Sequence, residues 1–146
     1  MDLVNDLMQW SRSQSGKMAC NPETLEVGEL ISSVIQLLQP AASKKKINIY
    51  TDYNHLATVS TDKYMVETIL RNLISNAIKF TNTGGKIVIK TFQDDKKLTV
   101  SVADNGIGIA QEKMEKLFRI EESFTTPGTS NERGTGLGLL LCKEFL

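Results

Sequence analysis

At 146 residues the chain is long enough for one compact domain with a substantial core and too short for two. Its 17 basic residues balance 17 acidic ones, so no overall field draws it to nucleic acid or to an anionic membrane surface. No apolar run approaches the roughly 20 residues that span a bilayer, the start Met1-Asp2-Leu3-Val4-Asn5-Asp6 has no secretory pattern, and Cys20 and Cys142 form no C-x-x-C pair, which together describe a cytoplasmic domain with two free thiols.

Leu3, Val4, Leu7, Met8 and Trp10 form a helical stripe that ends in the polar stretch 11–21. Whether this helix packs on its own domain or on a partner helix is open from the pattern. Residues 24–27 are predicted as a short strand. Residues 28–46 form a helix carrying Leu30, Ile31, Val34, Ile35, Leu37, Leu38, Ala41 and Ala42 at helical spacing. Pro40 should kink that helix or mark its last turns. The lysines at 44–46 suit its carbonyl end and read as a solvated terminus.

Residues 47–51 and 57–60 read as strands. Ser60, Thr61 and Asp62 are N-cap candidates for a long helix reaching about Phe80. Alternating runs at 86–92 and 98–103 predict an antiparallel hairpin. A short helix over 110–118 follows, then a mobile polar loop over 120–133, and a last helix from about Gly136 to the end. Helices mixed with an antiparallel pair give an α+β class.

Three blocks carry chemistry. On the long helix, Val66, Ile69, Leu70, Leu73, Ala77 and Phe80 mark an apolar face, and Asn72, Asn76 and Lys79 fall on a strip beside it. Carboxamide oxygens are hard neutral donors suited to Mg²⁺, and an ammonium offsets phosphate charge. Two asparagines on one helix also occur without function. Asp104-Asn105-Gly106-Ile107-Gly108 ends a strand, either as a plain turn or as a place where a flat ligand meets the backbone, with Asp104 accepting from an exocyclic amine. Gly134-Thr135-Gly136-Leu137-Gly138 precedes a helix, either as a hinge or as an anion site built from backbone N–H groups. It lacks the Lys-Ser/Thr of a Walker A loop, and no strand precedes it as in a dinucleotide fingerprint.

With these blocks in this order, the chain resembles the catalytic and ATP-binding domain of sensor histidine kinases, a two-layer α/β sandwich of the Bergerat type shared by the GHKL ATPases. Residues 72–81 are similar to the family's N box, 104–109 to its G1 box and 134–139 to its G2 box. Leu117-Phe118, with Phe124 downstream, is similar to its F box. The resemblance implies ATP and Mg²⁺ as cofactors. Asn76 would coordinate the metal with Asn72 assisting, Lys79 would contact phosphate, and Asp104 would read adenine beside Gly106, Ile107, Gly108 and Phe118. The backbone of Thr135, Gly136, Leu137 and Gly138 would hold the β- and γ-phosphates. Residues 119–133 would be the ATP lid, with Arg119 or Arg133 meeting the γ-phosphate.

Residues 1–21 resemble the end of the dimerisation and phosphoacceptor helix with its linker, and 22–146 the catalytic domain. The phosphoaccepting H box is absent, and His55 lacks its context. Family members carry further strands after the G2 helix, so a fragment is expected, with an exposed sheet edge and low stability. The resemblance therefore implies phosphoryl transfer from Mg-ATP to a histidine outside this chain, in a homodimeric parent kinase that passes the phosphoryl group to a response regulator. The alternative is a GHKL ATPase or a nucleotide-binding module without kinase activity. The water-activating glutamate of those ATPases would stand at position 72, where an asparagine cannot serve as a general base.

Overall fold

A computed structural model of the chain describes Met8, Ser11 and residues 19–53, 57–94, 97–114, 116–118, 126–132 and 134–146. The helix expected over 3–10, together with Arg12, Gly16, Lys17, His55, Arg119, Phe124 and Arg133, lies outside the described residues apart from Met8.

Strand β1 (Glu23–Glu26) pairs antiparallel with β3 (Thr58–Thr61), Glu23 opposite Thr61 and Glu26 opposite Thr58. A three-stranded sheet has the order β2 (Asn48–Asp52), β4 (Lys86–Gln93), β5 (Leu98–Asp104). β2 and β4 run parallel, Asn48 opposite Lys86, and β4 and β5 form the expected hairpin, Ile87 opposite Asp104. Asp94 closes its turn: its N–H donates to the Lys97 carbonyl at 3.0 Å and its side chain accepts from Lys97 N–H at 2.9 Å.

Helix α1 (Val27–Lys44) begins at Val27, which the sequence pattern assigned to the preceding strand. Pro40 lies within its last two turns and does not end it. Lys46, at φ +52°, turns the chain so that Ile47 N–H donates to the Ala42 carbonyl at 2.9 Å. Helix α2 (Lys63–Phe80) starts as expected, with Asp62 Oδ1 accepting from Met65 N–H at 3.1 Å. A parallel β2–β4 pair needs a long crossover, and β3 with α2 supply it.

The core lies between these helices and one sheet face. Ile31 of α1, Ile74 of α2, and Ile87 and Ile89 of β4 are fully enclosed. Each contributes roughly 1.5–3 kcal/mol through removal from water. Ile87 and Ile89 alternate along β4, so the opposite pleat faces outward, where Tyr50 and Phe92 are exposed.

Two expectations need correction. Leu73 and Phe80 are only half-buried, whereas Ile74 and Ile78 are buried: α2 packs against both α1 and helix α4 (Gly138–Phe145), so its covered surface is wider than one stripe. The helix expected over 110–118 shrinks to α3 (Gln111–Met114), with a turn over 116–118. Met114 and Phe118 are exposed, so little packing consolidates a marginal helix there. Among the described residues no helix is long and apolar enough to cross a membrane.

Candidate functional site

The C-terminal half of α2 is the floor on which the two glycine-rich blocks rest. Asn76 and Lys79 are half-buried, as a strip beside the core requires. Asn72 lies deeper, 2% exposed, and its Oδ1 has no hydrogen-bond partner. Lys79 Nζ stands 4.6 Å from the centroid of the Phe80 ring. Burial pushes the Lys79 ammonium below its ordinary pKa, and the negative charge of Glu132 acts in the opposite direction.

The turn at 104–108 is fastened to the end of this helix. Ile107 N–H donates to the Phe80 carbonyl at 3.1 Å, one of the carbonyls the helix leaves without an internal partner. Asp104 Oδ1 accepts from Gly106 N–H at 2.9 Å, and Asn105 Oδ1 accepts from Lys86 N–H at 2.8 Å. A side-chain carbon at Gly106 would lie 2.2 Å from the Phe80 carbonyl oxygen, so glycine is required here by the helix rather than by ligand approach. Gly108 has open space around it and φ +67°, and its requirement is conformational. Ile107 and Ile109, which flank Gly108, are exposed. Phe118 is exposed on the turn after α3.

The second glycine block runs over the same helix in register with its polar strip. A carbon built on Gly134 would stand 2.6 Å from Lys79 Nζ, and one on Gly138 would stand 3.0 Å from Asn72 Oδ1. Asn72 and Lys79 are seven residues, about two helical turns, apart. Gly136, at φ +75°, makes the bend between the two approaches. Helix α4 starts at Gly138, two residues later than expected, with no side-chain cap on its first turn.

The sequence reading missed a further layer beneath this one. Residues 126–132, part of the expected loop, are tied to the end of α2. Thr129 N–H donates to the Lys79 carbonyl at 3.0 Å, and Thr129 Oγ1 donates to the Thr81 carbonyl at 2.8 Å. The anchoring cation is Lys45, 5% exposed, which contradicts its reading as part of a solvated helix end. Its Nζ lies 3.1 Å from Glu132 Oε1. Burial raises the Glu132 pKa, but N–H donation from its own backbone and from Ser130, together with Lys45, outweighs it and leaves the carboxyl below its ordinary range. A separate hollow of about 290 Å³ lies at the other end of α2. Glu23, Asp62 and Glu67 line it against a single Lys63, which makes it a poor home for phosphate.

Comparison with known proteins identifies the family. The family model described as histidine kinase-, DNA gyrase B-, and HSP90-like ATPase matches residues 61–146. The adaptive-response sensory kinase SasA of Synechocystis sp. is 32% identical over 146 residues, covering 99% of this chain and 38% of that protein. The solved catalytic domain of the histidine kinase ThkA is 32% identical, with a TM-score of 0.74 over 86% of this chain and 79% of that one. The same kinase is known in complex with the response regulator protein TrrA. Full-length ShkA in complex with AMPPNP is 28% identical, with a TM-score of 0.78 over 98% of this chain and 29% of that one. The chain spans only 38% of the length of SasA of Synechocystis sp. and 8% of hybrid signal transduction histidine kinase B of Dictyostelium discoideum. It belongs to the histidine kinase-, DNA gyrase B- and HSP90-like ATPase family, and within that family to the ATP-binding catalytic domains of sensor histidine kinases.

Proposed function

We propose that this domain binds Mg-ATP against the polar strip of α2 and donates the γ-phosphate to a histidine carried outside the chain. The observation that supports this most is the register of the second glycine block on that strip, Gly134 at Lys79 and Gly138 at Asn72. It sets glycine N–H groups and an ammonium side by side, a combination suited to polyphosphate. Asp104 lies on the exposed turn at the end of β5, beside Ile107 and Ile109, where its carboxylate can accept from the adenine amine.

The residues fit a magnesium ion. Asn72 Oδ1 is a buried oxygen without a partner, Asn76 is half-buried one turn on, and both are neutral oxygen donors. Among the described residues no cluster of three or more His, Cys, Asp or Glu offers a rival metal cage. Asn76 would hold the ion with Asn72 behind it, leaving phosphates and water to complete the shell. When bound, the ion neutralises charge on the transferring phosphoryl group. Lys79 adds a fixed cation from the protein, and the glycine N–H groups orient the β- and γ-phosphates. In the reaction the γ-phosphorus separates from the ADP oxygen as it bonds to an imidazole nitrogen. The parent kinase would be a homodimer supplying that imidazole and passing the phosphoryl group to a response regulator, the class of partner with which ThkA is known.

Calorimetric titration with ATP, with and without Mg²⁺, tests the proposal in the chain and in Asp104→Ala. Mg²⁺-sensitive binding that the variant loses supports it. A folded chain that binds no nucleotide refutes it. Phosphate should appear on an added histidine-bearing dimerisation domain and not on this chain alone, and rapid ATP hydrolysis by the chain would favour the gyrase-type alternative.

A further inference from the structure

Lys45 stands between two exposed lysines yet is almost wholly enclosed. From the C-cap of α1 its side chain reaches under the end of α2. There Nζ meets the Ile78 carbonyl at 2.8 Å, the Lys79 carbonyl at 3.0 Å, Thr129 Oγ1 at 2.6 Å and Glu132 Oε1 at 3.1 Å. Four acceptors share three N–H groups, so the ammonium is directed entirely at protein. Two of the acceptors belong to the last turn of α2, where carbonyls lack helical partners and the dipole favours a cation. The other two belong to the short loop at 128–132.

That loop is closed on itself. Gly128 N–H donates to the Glu132 carbonyl at 2.9 Å, and Ser130 N–H donates to Glu132 Oε2 at 2.8 Å. Asn131 holds φ +64°, and a carbon on Gly128 would fall 2.5 Å from Lys79 Cγ. The chain leaves this knot at Glu132 and reaches Gly134 two residues later. Lys79 is therefore gripped at its carbonyl by Lys45 and Thr129 while its ammonium lies against Gly134.

We propose that Lys45 is a positioning residue of the nucleotide site: through Thr129 and Glu132 it fixes the root of the 134–138 glycine block against the end of α2. It thereby sets where Lys79 and the glycine N–H groups stand to receive phosphate. The proposal rests on the ATP reading above. Lys45 itself touches no nucleotide, and its effect passes through the backbone of Lys79 and the 128–132 loop.

Two variants of the chain test it. Lys45→Met keeps most of the stem and removes the charge, and Glu132→Gln keeps the shape and removes the charged partner. Amide hydrogen exchange is followed without nucleotide, and Mg-ATP affinity by calorimetry. Each variant should speed exchange at Thr129 and Ser130 about tenfold or more, as expected for loss of a charge-assisted hydrogen bond. The Ile87 and Ile89 amides of β4 should not change, and Mg-ATP should bind roughly tenfold more weakly. The double variant should be no worse than Lys45→Met, because both changes remove one shared contact. Unchanged exchange at 129–130 in Glu132→Gln overturns the proposal. So does unchanged ATP affinity in a variant whose loop exchange has risen, or a rise spread equally over β4, which would make the role general to the fold. Lys45→Met takes the ammonium from the buried Ile78 carbonyl, so if it fails to fold, Glu132→Gln decides, since its site is part-exposed. Failure of the unaltered chain to bind ATP sinks the nucleotide reading, and the exchange measurements made without nucleotide judge the clamp separately.

Discussion

Gly138 closes over Asn72: a methyl group at position 138 would lie 3.0 Å from Asn72 Oδ1 and 3.3 Å from its Cγ. Asn72 is buried and cannot swing away without disturbing its neighbours. Alanine at 138 should gain up to about 1 kcal/mol of helix propensity and lose about 1–2 kcal/mol to crowding, leaving stability little changed. Mg-ATP binding should nevertheless fall, because Asn72 is displaced. Gly106→Ala meets the Phe80 carbonyl at 2.2 Å, where only backbone can move, and should cost about 3 kcal/mol or more. Gly108→Ala meets open space and should cost only the positive-φ strain, about 1–2 kcal/mol. Urea melts of the three variants should give that order, and a destabilised Gly138→Ala with normal ATP affinity would contradict the arrangement.

The unpartnered Asn72 Oδ1 burdens the nucleotide-free fold. A buried acceptor without a donor costs about 1–3 kcal/mol, and an apolar group of similar shape removes that cost. Asn72→Leu should therefore leave the nucleotide-free domain as stable as before, or more so, while weakening Mg-ATP binding. Denaturation midpoints and calorimetry on the same preparation separate the two effects. Clear destabilisation of the variant would mean that Oδ1 is satisfied in solution.

Cys142 sits beside this group, 4% exposed, with Sγ 3.9 Å from the Ile69 carbonyl. Burial pushes its thiol up to about 11, against a smaller pull from the Asn72 side chain. Cys20 is exposed. A thiol reagent at pH 7–8 should modify Cys20 quickly and Cys142 only after unfolding, since the thiolate is the nucleophile. Intact mass measured against time and denaturant checks this, and two labels on the native chain would be the contrary result.

What could be read from the sequence was local. The three blocks announce themselves because each packs unusual residue types into five to ten positions, and the Asp62 cap and the 86–104 hairpin are local as well. Lys45 and Glu132 are 87 residues apart, and a lysine among lysines looks the same in sequence whether it is solvated or beneath a helix. Gly106 was expected to admit a ligand, but the neighbour that demands glycine is the end of α2, which only the tertiary fold brings there. The burial of Ile74 and Ile78 depends on α2 being covered by both α1 and α4, which one-stripe periodicity does not report.

Asp62 gives the domain an acid-sensitive fastening. It is 8% exposed, and its carboxylate accepts from Asn21 N–H at 3.0 Å and from Met65 N–H at 3.1 Å. The Asn21 N–H is the main cause of a pKa below the ordinary 3.8, aided by Met65 and opposed by burial. A carboxyl whose pKa is depressed on folding contributes stability that is fully present above 3.8 and is lost as the pH falls through the folded value. At pH 7, Asp62→Ala should therefore cost about 1–2 kcal/mol through the lost cap, and the gap to the unaltered chain should narrow as the pH drops below 4. Asp62→Asn keeps an acceptor for Met65 but carries no charge, so its stability should lack that acid-side decline. Urea melts from pH 7 down to pH 3 report all three. A gap between the unaltered chain and Asp62→Ala that stays constant to the acid end would mean that the N–H donors hold the side-chain oxygen equally well in its neutral form, and that charge plays no part in fastening residue 21 to the start of α2.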